Sequence, residues 1–484
     1  MHANLSRLFP LLAPTAMGSG ILFSYPQLAT IAGLQGVIVY ALASALPLLV
    51  FAALVPVIRS KCPEGFVLTE WTRQRYGVAT ALYLGALTLL TLFLYMVAEL
   101  SAIGQVVTAL TGLDGLPVII VECIITTIYT SLGGFKISFI TDNVQGAMVC
   151  GLIIIATITI GVKAEIDPEL IRSSGYLEPS LLGWQLIYIL PVAIITNDFF
   201  LANFWLRAFA SKTDKDLWIG MSMATVAILV ILTLVGVTGL VAAWSGAYPG
   251  DPPVDDGSVA FFLLLESLPS WTVGIVLVLV VTLSTAAFDS LQSAMVSSVS
   301  NDLFRNKLNI WWIRGGVVVI IVPVVILALK APSILQIYLI TDLLSAATIP
   351  VLILGLSERF YFWRGFEVVV GGLGGIFTVF LFGTVYYGNA QAGGELILLQ
   401  NGLYGNDWSA FGAFVAAPVG GILWGTGALL LRLACQWILA KKSGRRFDSL
   451  DRPPVYGSES QSVASQEPVA RDDVALSKST GQFF

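Results

Sequence analysis

The sequence is poor in charge. Of its 484 residues only 11% are Asp, Glu, Lys or Arg, against about 25% in a soluble domain. Histidine is nearly absent: the one copy is His2, at the terminus. That excludes a buried histidine proton relay. Four cysteines (Cys62, Cys123, Cys150 and Cys435) are scattered, with no CxxC and no paired spacing. Neither a disulfide framework nor a cysteine metal site is implied. There is no GxxxxGK[ST] nucleotide loop and no nucleophile–base set. An enzyme is not expected, nor a cofactor, nor a nucleic-acid partner.

What is abundant is apolar. Hydrophobic residues make up 56% of the chain, and the mean hydropathy is +0.85. Many apolar runs reach about 20 residues, enough to cross a hydrocarbon core of roughly 30 Å. The runs are continuous rather than alternating, which excludes an outer-membrane barrel. The expectation is an all-α polytopic membrane protein. Twelve spans are predicted, near 8–31, 37–58, 78–111, 117–132, 139–163, 184–206, 217–244, 272–300, 311–329, 334–356, 366–386 and 410–440. The N-terminal stretch is short, broken by proline and continuous with a longer span, so no cleavable signal peptide is expected.

The loops set an orientation. Arg59, Lys61, Arg73 and Arg75 lie between spans 2 and 3, Lys136 between 4 and 5, and Lys212 and Lys215 between 6 and 7. Arg305 and Lys307, then Arg359 and Arg364, then Lys441, Lys442, Arg445 and Arg446 follow on the same side. The alternate loops 32–36, 112–116, 245–260 and 387–409 carry no Lys or Arg. The positive-inside rule then places both termini in the cytosol, with the plasma membrane as the expected site. Residues 1–440 form the membrane domain. Residues 441–484 turn polar and Ser-rich, the composition of a disordered tail.

Acids inside apolar spans are functional candidates, because a charge in the bilayer is costly. They are Glu99, Glu122, Asp142, Asp198, Asp289 and Asp342. Glu122 stands alone in a short span and reads as structural. Asp142 and Asp342 can also be read as solvated near an interface. Span 1 is interrupted by Pro14, Gly18, Gly20 and Pro26. Freed backbone carbonyls at membrane depth survive where they line a cavity, as in discontinuous transporter helices. Span 8 is crowded with Ser284, Thr285, Ser290, Ser293, Ser297, Ser298 and Ser300. Close helix packing explains most of these, but Ser284 and Thr285 also offer two neutral oxygens to a hard cation.

Two stretches carry a resemblance. "YTSLGGFKISFITDNVQ" is similar to the span 4–5 signature of the sodium:solute symporter family, and "LSTAAFDSLQSAMVSSVSNDLF" to its span 8 signature. Within that family, "CPEGFVLTEWTRQRYG", "FWLRAFASKTDKD" and "YLITDLLSAATIPVLILGL" resemble the fungal and plant urea active transporters. The resemblance covers most of residues 13–440. It implies a LeuT-type core of inverted repeats, about 8–163 and 184–356, with extra helices over 366–440. It further implies a secondary active symporter importing a small polar solute such as urea, driven by Na⁺ or H⁺. A polyamine or an amino acid is an alternative solute, and a non-transporting sensor is an alternative role.

Carried over residue by residue, the resemblance implies a sodium pocket of Ser284 and Thr285 hydroxyls with carbonyls from Val281, Thr15 and Gly18. It implies ion coupling through Asp142, with Asp289 and Glu99 as further proton carriers. The substrate region would involve Ser19, Glu99, Asp198, Asn203 and Asp342, among spans 1, 3, 6, 8 and 10. Two departures stand out. The chain starts almost directly at the broken span, where family members carry an extra leading one. The urea branch often has an acid six residues before Arg207, where this chain has Leu201. In the tail, Pro453-Pro454-Val455-Tyr456 resembles a docking site for WW-domain ubiquitin ligases, which grip polyproline II segments. Lys441, Lys442 and Lys478 would be nearby acceptors.

Overall fold

The computed structural model describes residues 18–62, 68–209, 211, 213–249, 256–266, 268–330, 333–400, 403, 407–444, 446–447 and 449–451. Within these, the side chains of residues 129, 131–144, 150, 152, 202, 203, 206 and 207 are not described. The described chain is helical throughout its ordered elements. In chain order these are α1 (Ile21–Ala45), α2 (Pro47–Lys61), α3 (Leu68–Tyr76), α4 (Val78–Thr111), α5 (Leu116–Lys163) and α6 (Pro168–Ser174). Then come α7 (Leu181–Asp198), α8 (Ala202–Phe209), α9 (Asp214–Trp244), α10 (Ala260–Glu266) and α11 (Ser270–Ser298). The last are α12 (Ile310–Ala328), α13 (Ile334–Ile353), α14 (Gly365–Tyr387), α15 (Ala390–Ile397) and α16 (Ser409–Ser443).

Among the described residues, ten helical stretches are long and apolar enough to cross a membrane, not twelve. Two of the helical runs are folded back on themselves, and the first of them holds predicted spans 1 and 2 in one stretch, Ile21–Lys61. In α1, Tyr25 and Tyr40 stack with ring centroids 3.9 Å apart. On a straight helix fifteen residues would separate them by about 22 Å. The fold is at Gly33, with φ +61° and ψ −156°, a conformation that favours glycine. The predicted spans 1 and 2 are therefore antiparallel arms joined at Gly33. A Cβ there would also overlap the carbonyl oxygen of Tyr176, which accepts from Leu34 N at 2.8 Å.

The second case is α5. Glu122 accepts a hydrogen bond from Ser284 on α11, and Ile160 lines a cavity with Leu279 and Leu283 of the same helix. Thirty-eight residues of straight helix would separate Glu122 from Ile160 by about 57 Å. The chain therefore doubles back between them, and the turn expected at Gly133-Gly134-Phe135-Lys136 falls in that interval.

Capping residues start several helices where the sequence has them. The side chains of Ser180, Thr213 and Asn309 accept from backbone N–H groups in the first turns of α7, α9 and α12. Each satisfies one of the donors a helix start leaves open. Around the bundle, Trp184, Val319, Leu423 and Val162 are more than half exposed, as a surface facing lipid tails requires. Helices α14 and α16 pack closely through small residues: a Cβ on Gly371 would approach the Gly421 carbonyl. Backbones drawn together by glycine are the usual way membrane helices associate. Between them, Arg432 Nε donates to Glu367 Oε1 at 2.5 Å, both side chains buried. Arg432 also donates to the Phe362 carbonyl at 2.8 Å.

Candidate functional site

The site begins at the N-terminal end of α1 and at the break between α7 and α8. The N-terminal end of α1 is a glycine–serine turn in which Ile21 N donates to the Gly18 carbonyl and Leu22 N to that of Ser19. The break between α7 and α8 was not evident in the sequence. The predicted span 184–206 is split into α7 and α8 across Phe199–Leu201, where Phe200 N donates to Asn197 O and Leu201 N to Asp198 O. Asp198 thus stands at the very end of α7.

A cavity of about 140 Å³ lies between these two points. The arms of α1 contribute Gly18, Ile21, Ser24, Tyr25, Tyr40 and Ser44. Tyr95 and Glu99 come from α4, Asp198 from α7, Ala287 and Leu291 from α11, and Tyr338 and Asp342 from α13. Three carboxyl groups and four phenols line it, and among the described residues no lysine or arginine does. Glu99, Asp198 and Asp342 are respectively 3%, 8% and 5% exposed.

The three acids are held differently. The Ser19 N–H and hydroxyl both donate to Glu99 Oε1, each at 2.5 Å, and a Cβ on Gly18 would overlap Glu99 Oε2. Glycine at 18 therefore lets Glu99 reach the N-terminal end of α1. Asp198 and Asp342 have no side-chain hydrogen bond or ion pair among the described residues. Buried carboxylates without partners are costly, so they favour a ligand that brings positive charge. The phenols are fixed around them. Tyr25 OH donates to Ser44 Oγ at 2.5 Å, Asn197 Nδ2 donates to Tyr95 OH at 2.5 Å, and Tyr95 packs on Tyr338 at 5.0 Å. Aromatic faces at this range attract cations.

Of the substrate residues expected from the sequence, Glu99, Asp198 and Asp342 come together in this cavity, and Ser19 orients Glu99. The side chain of Asn203 lies outside the described residues, as do the side chain of Asp142, all of Thr15, and Pro453, Pro454 and Tyr456. Asp289 is fully buried with the Ser290 hydroxyl 3.3 Å from its Oδ1, and it does not line the cavity.

Of the sodium pocket expected from Ser284, Thr285, Val281, Thr15 and Gly18, Thr15 lies outside the described residues. Ser284 Oγ donates to Glu122 Oε1 at 2.7 Å. Thr285 Oγ1 donates to the Val281 carbonyl at 2.7 Å, and Val281 is 43% exposed. The α11 residues that line the cavity together with Gly18 are Ala287 and Leu291, which have no side-chain oxygen. Glu122, read from the sequence as structural, is the partner Ser284 finds, and its Oε2 is buried without a hydrogen bond. The four tyrosines were also missed. Their signal was phenols in otherwise apolar spans, since a buried Tyr needs a partner for its hydroxyl.

No protein-family model matches the sequence. Among solved structures the chain is similar to a Na⁺-coupled sialic acid symporter in its substrate-bound outward-open state. The TM-score is 0.67 at 14% identity, covering 89% of this chain and 90% of that one. It is also similar to Mhp1, a nucleobase-cation-symport-1 family transporter in a closed conformation with bromovinylhydantoin bound. There the TM-score is 0.56 at 13% identity, over 91% of this chain and 93% of that one. The architecture is thus the LeuT-type transporter fold, with a polar cavity between the start of α1 and the break that separates α7 from α8. In sequence, the chain is 54% identical over 451 residues to the spermidine transporter DUR31 of Candida albicans (strain SC5314), covering 92% of this chain and 86% of that protein. The chain belongs to the family of that transporter, and it is an integral membrane transporter rather than an enzyme.

Proposed function

We propose that this protein is an ion-coupled importer of polyamines of the spermidine class. The carrying observation is the cavity: Glu99, Asp198 and Asp342 converge with four tyrosines and, among the described residues, no basic one. A polyamine is a flexible chain of methylenes joining ammonium groups. Carboxylates meet the ammonium groups, and tyrosine faces accept both the charges and the methylenes. Urea, the first expectation from the sequence, is neutral and would leave three acids without a counter-charge. The transporter at 54% identity is named for spermidine, which favours the polyamine alternative. With both termini cytosolic, the outward loops 112–116, 245–260 and 387–409 contain acids and no Lys or Arg, and loop 32–36 carries no charge. A field of that sign draws polycations toward the opening.

The reading places the protein in the plasma membrane, with repeats near 8–163 and 184–356 rocking about the cavity. An inward gradient of Na⁺ or H⁺ drives the cycle, and the ion shifts the conformational balance only by its differential affinity for the two states. The Pro453-Pro454-Val455-Tyr456 motif is assigned to ligase docking, and Tyr456→Ala should slow internalisation. The deciding experiment is uptake of radiolabelled spermidine by cells lacking their own polyamine uptake, with Na⁺ replaced by choline and external pH varied separately. Saturable spermidine uptake, competed by other polyamines and not by urea, is expected. Saturable urea uptake that excess spermidine leaves untouched would return the urea reading.

A further inference from the structure

A second cavity, also of about 140 Å³, lies between α5, α11 and α12. Its polar lining is Thr127, Thr130, Gln292, Ser293, Ser297 and Arg314. The sign is opposite to that of the acidic cavity: among the described residues there is one guanidinium and no carboxyl group. Gln292 is already committed, because its Nε2 donates to Thr127 Oγ1 at 3.0 Å and its Oε1 accepts from Thr130 Oγ1 at 3.1 Å. Ser293 is not. It is only 9% exposed, and its hydroxyl has no hydrogen-bond partner among the described residues. Arg314 has no carboxylate partner among them either, and its guanidinium lies 5.0 Å from the Trp311 ring centroid. A buried hydroxyl without a partner and a guanidinium without a carboxylate, both on residues that line one cavity, are donors in want of acceptor oxygens, which a phosphate supplies.

The surroundings point to the source of that phosphate. Ile124 and Ile128 on α5 and Val318 on α12 are 53%, 55% and 45% exposed, an apolar flank suited to acyl chains. Trp311 and Trp312 at the start of α12 are 60% and 75% exposed, and tryptophan concentrates at headgroup level. Arg305 and Lys307 lie in the turn just before α12. On the orientation expected from the loops this is the cytosolic leaflet, where anionic lipids gather. We infer that this cavity holds the headgroup phosphate of an anionic phospholipid, with its chains lying along Ile124, Ile128 and Val318.

The test is native mass spectrometry of the full chain in mild detergent, with phosphatidylserine or phosphatidylcholine added, on wild type, Arg314→Gln and Ser293→Ala. Wild type should retain phosphatidylserine in preference to phosphatidylcholine. Arg314→Gln should retain about tenfold less, the loss expected for one charge-assisted contact, and Ser293→Ala an intermediate amount. Inorganic phosphate in excess should not displace the lipid. Equal retention by wild type and Arg314→Gln overturns the inference, and displacement by phosphate assigns the site to a free anion instead. If Arg314→Gln does not fold, Arg314→Lys and Ser293→Ala decide: undiminished retention in both overturns it.

Discussion

The hydroxyl of Ser284 donates to Glu122 Oε1 across the contact between α11 and α5, so a residue expected in the cation pocket is hydrogen-bonded to an acid on span 4. The adjacent Thr285 turns to its own helix carbonyl at Val281. If the Ser284–Glu122 pair acts as one unit, its two halves should not be independent. Ser284→Ala and Glu122→Gln should reduce uptake alike, and the double variant should add no more than about 0.5 kcal/mol to the worse single one. Thr285→Val should leave ion dependence unchanged. Additive losses in the double variant, measured as uptake per molecule at the surface, would show that the pair is not coupled.

The acidic cavity makes a prediction about charge. Asp198→Asn, Asp342→Asn and Glu99→Gln should each raise the spermidine KM by roughly tenfold or more, since a hydrogen bond to a charged group is worth about 1.5–3 kcal/mol. Surface abundance should be little changed for Asp198 and Asp342, which have no side-chain partner to lose among the described residues. Uptake kinetics normalised to surface protein separate binding from folding. Unaltered KM in all three variants would remove the cavity as the polyamine site.

The stacked phenols make a prediction about shape. Tyr25→Leu and Tyr40→Leu should weaken spermidine binding by a few-fold, because a cation over an aromatic face contributes about 0.5–2 kcal/mol. Tyr25→Phe keeps the ring and loses only the bond to Ser44 Oγ. It should lie between wild type and Tyr25→Leu in a competition assay.

The reversal at Gly33 can be tested by stability alone. Gly33→Ala puts a Cβ on a backbone at φ +61° and against the Tyr176 carbonyl, and should destabilise by about 1–3 kcal/mol. A lower melting temperature in detergent is the expected readout. An unchanged melting temperature would show that the chain turns without needing glycine there.

The buried pair Glu367–Arg432 offers a contrast between breaking and replacing. Glu367→Leu or Arg432→Met alone should cost about 3–5 kcal/mol by leaving one buried charge unpaired. Changing Glu367→Leu and Arg432→Met together should recover much of that, because no buried charge then remains. Thermal stability of the four proteins reads the cycle directly.

Most of the architecture was legible in the chain. Apolar run length gives the spans, and Gly33 marks where the first described helical run turns back. What stayed hidden was tertiary. The break after Asp198 has no proline or glycine at Phe199–Leu201, so nothing local announced it. The partners of Ser284 could not be read either, since spacing gives a residue's bearing on its helix but not which neighbour lies there.

The sequence by itself determined that this chain lives in a bilayer, because charge is too scarce and apolar runs too long for any other solvent. It also named the acids that a membrane would not tolerate without a purpose. Only the tertiary structure decided which of them act together. Glu99, Asp198 and Asp342 lie on three helices far apart in the chain, and packing alone brings them around one cavity. Glu122 is drawn to Ser284 by the same packing. A buried charge takes its meaning from what faces it, and in a helical bundle that is set by contacts between helices.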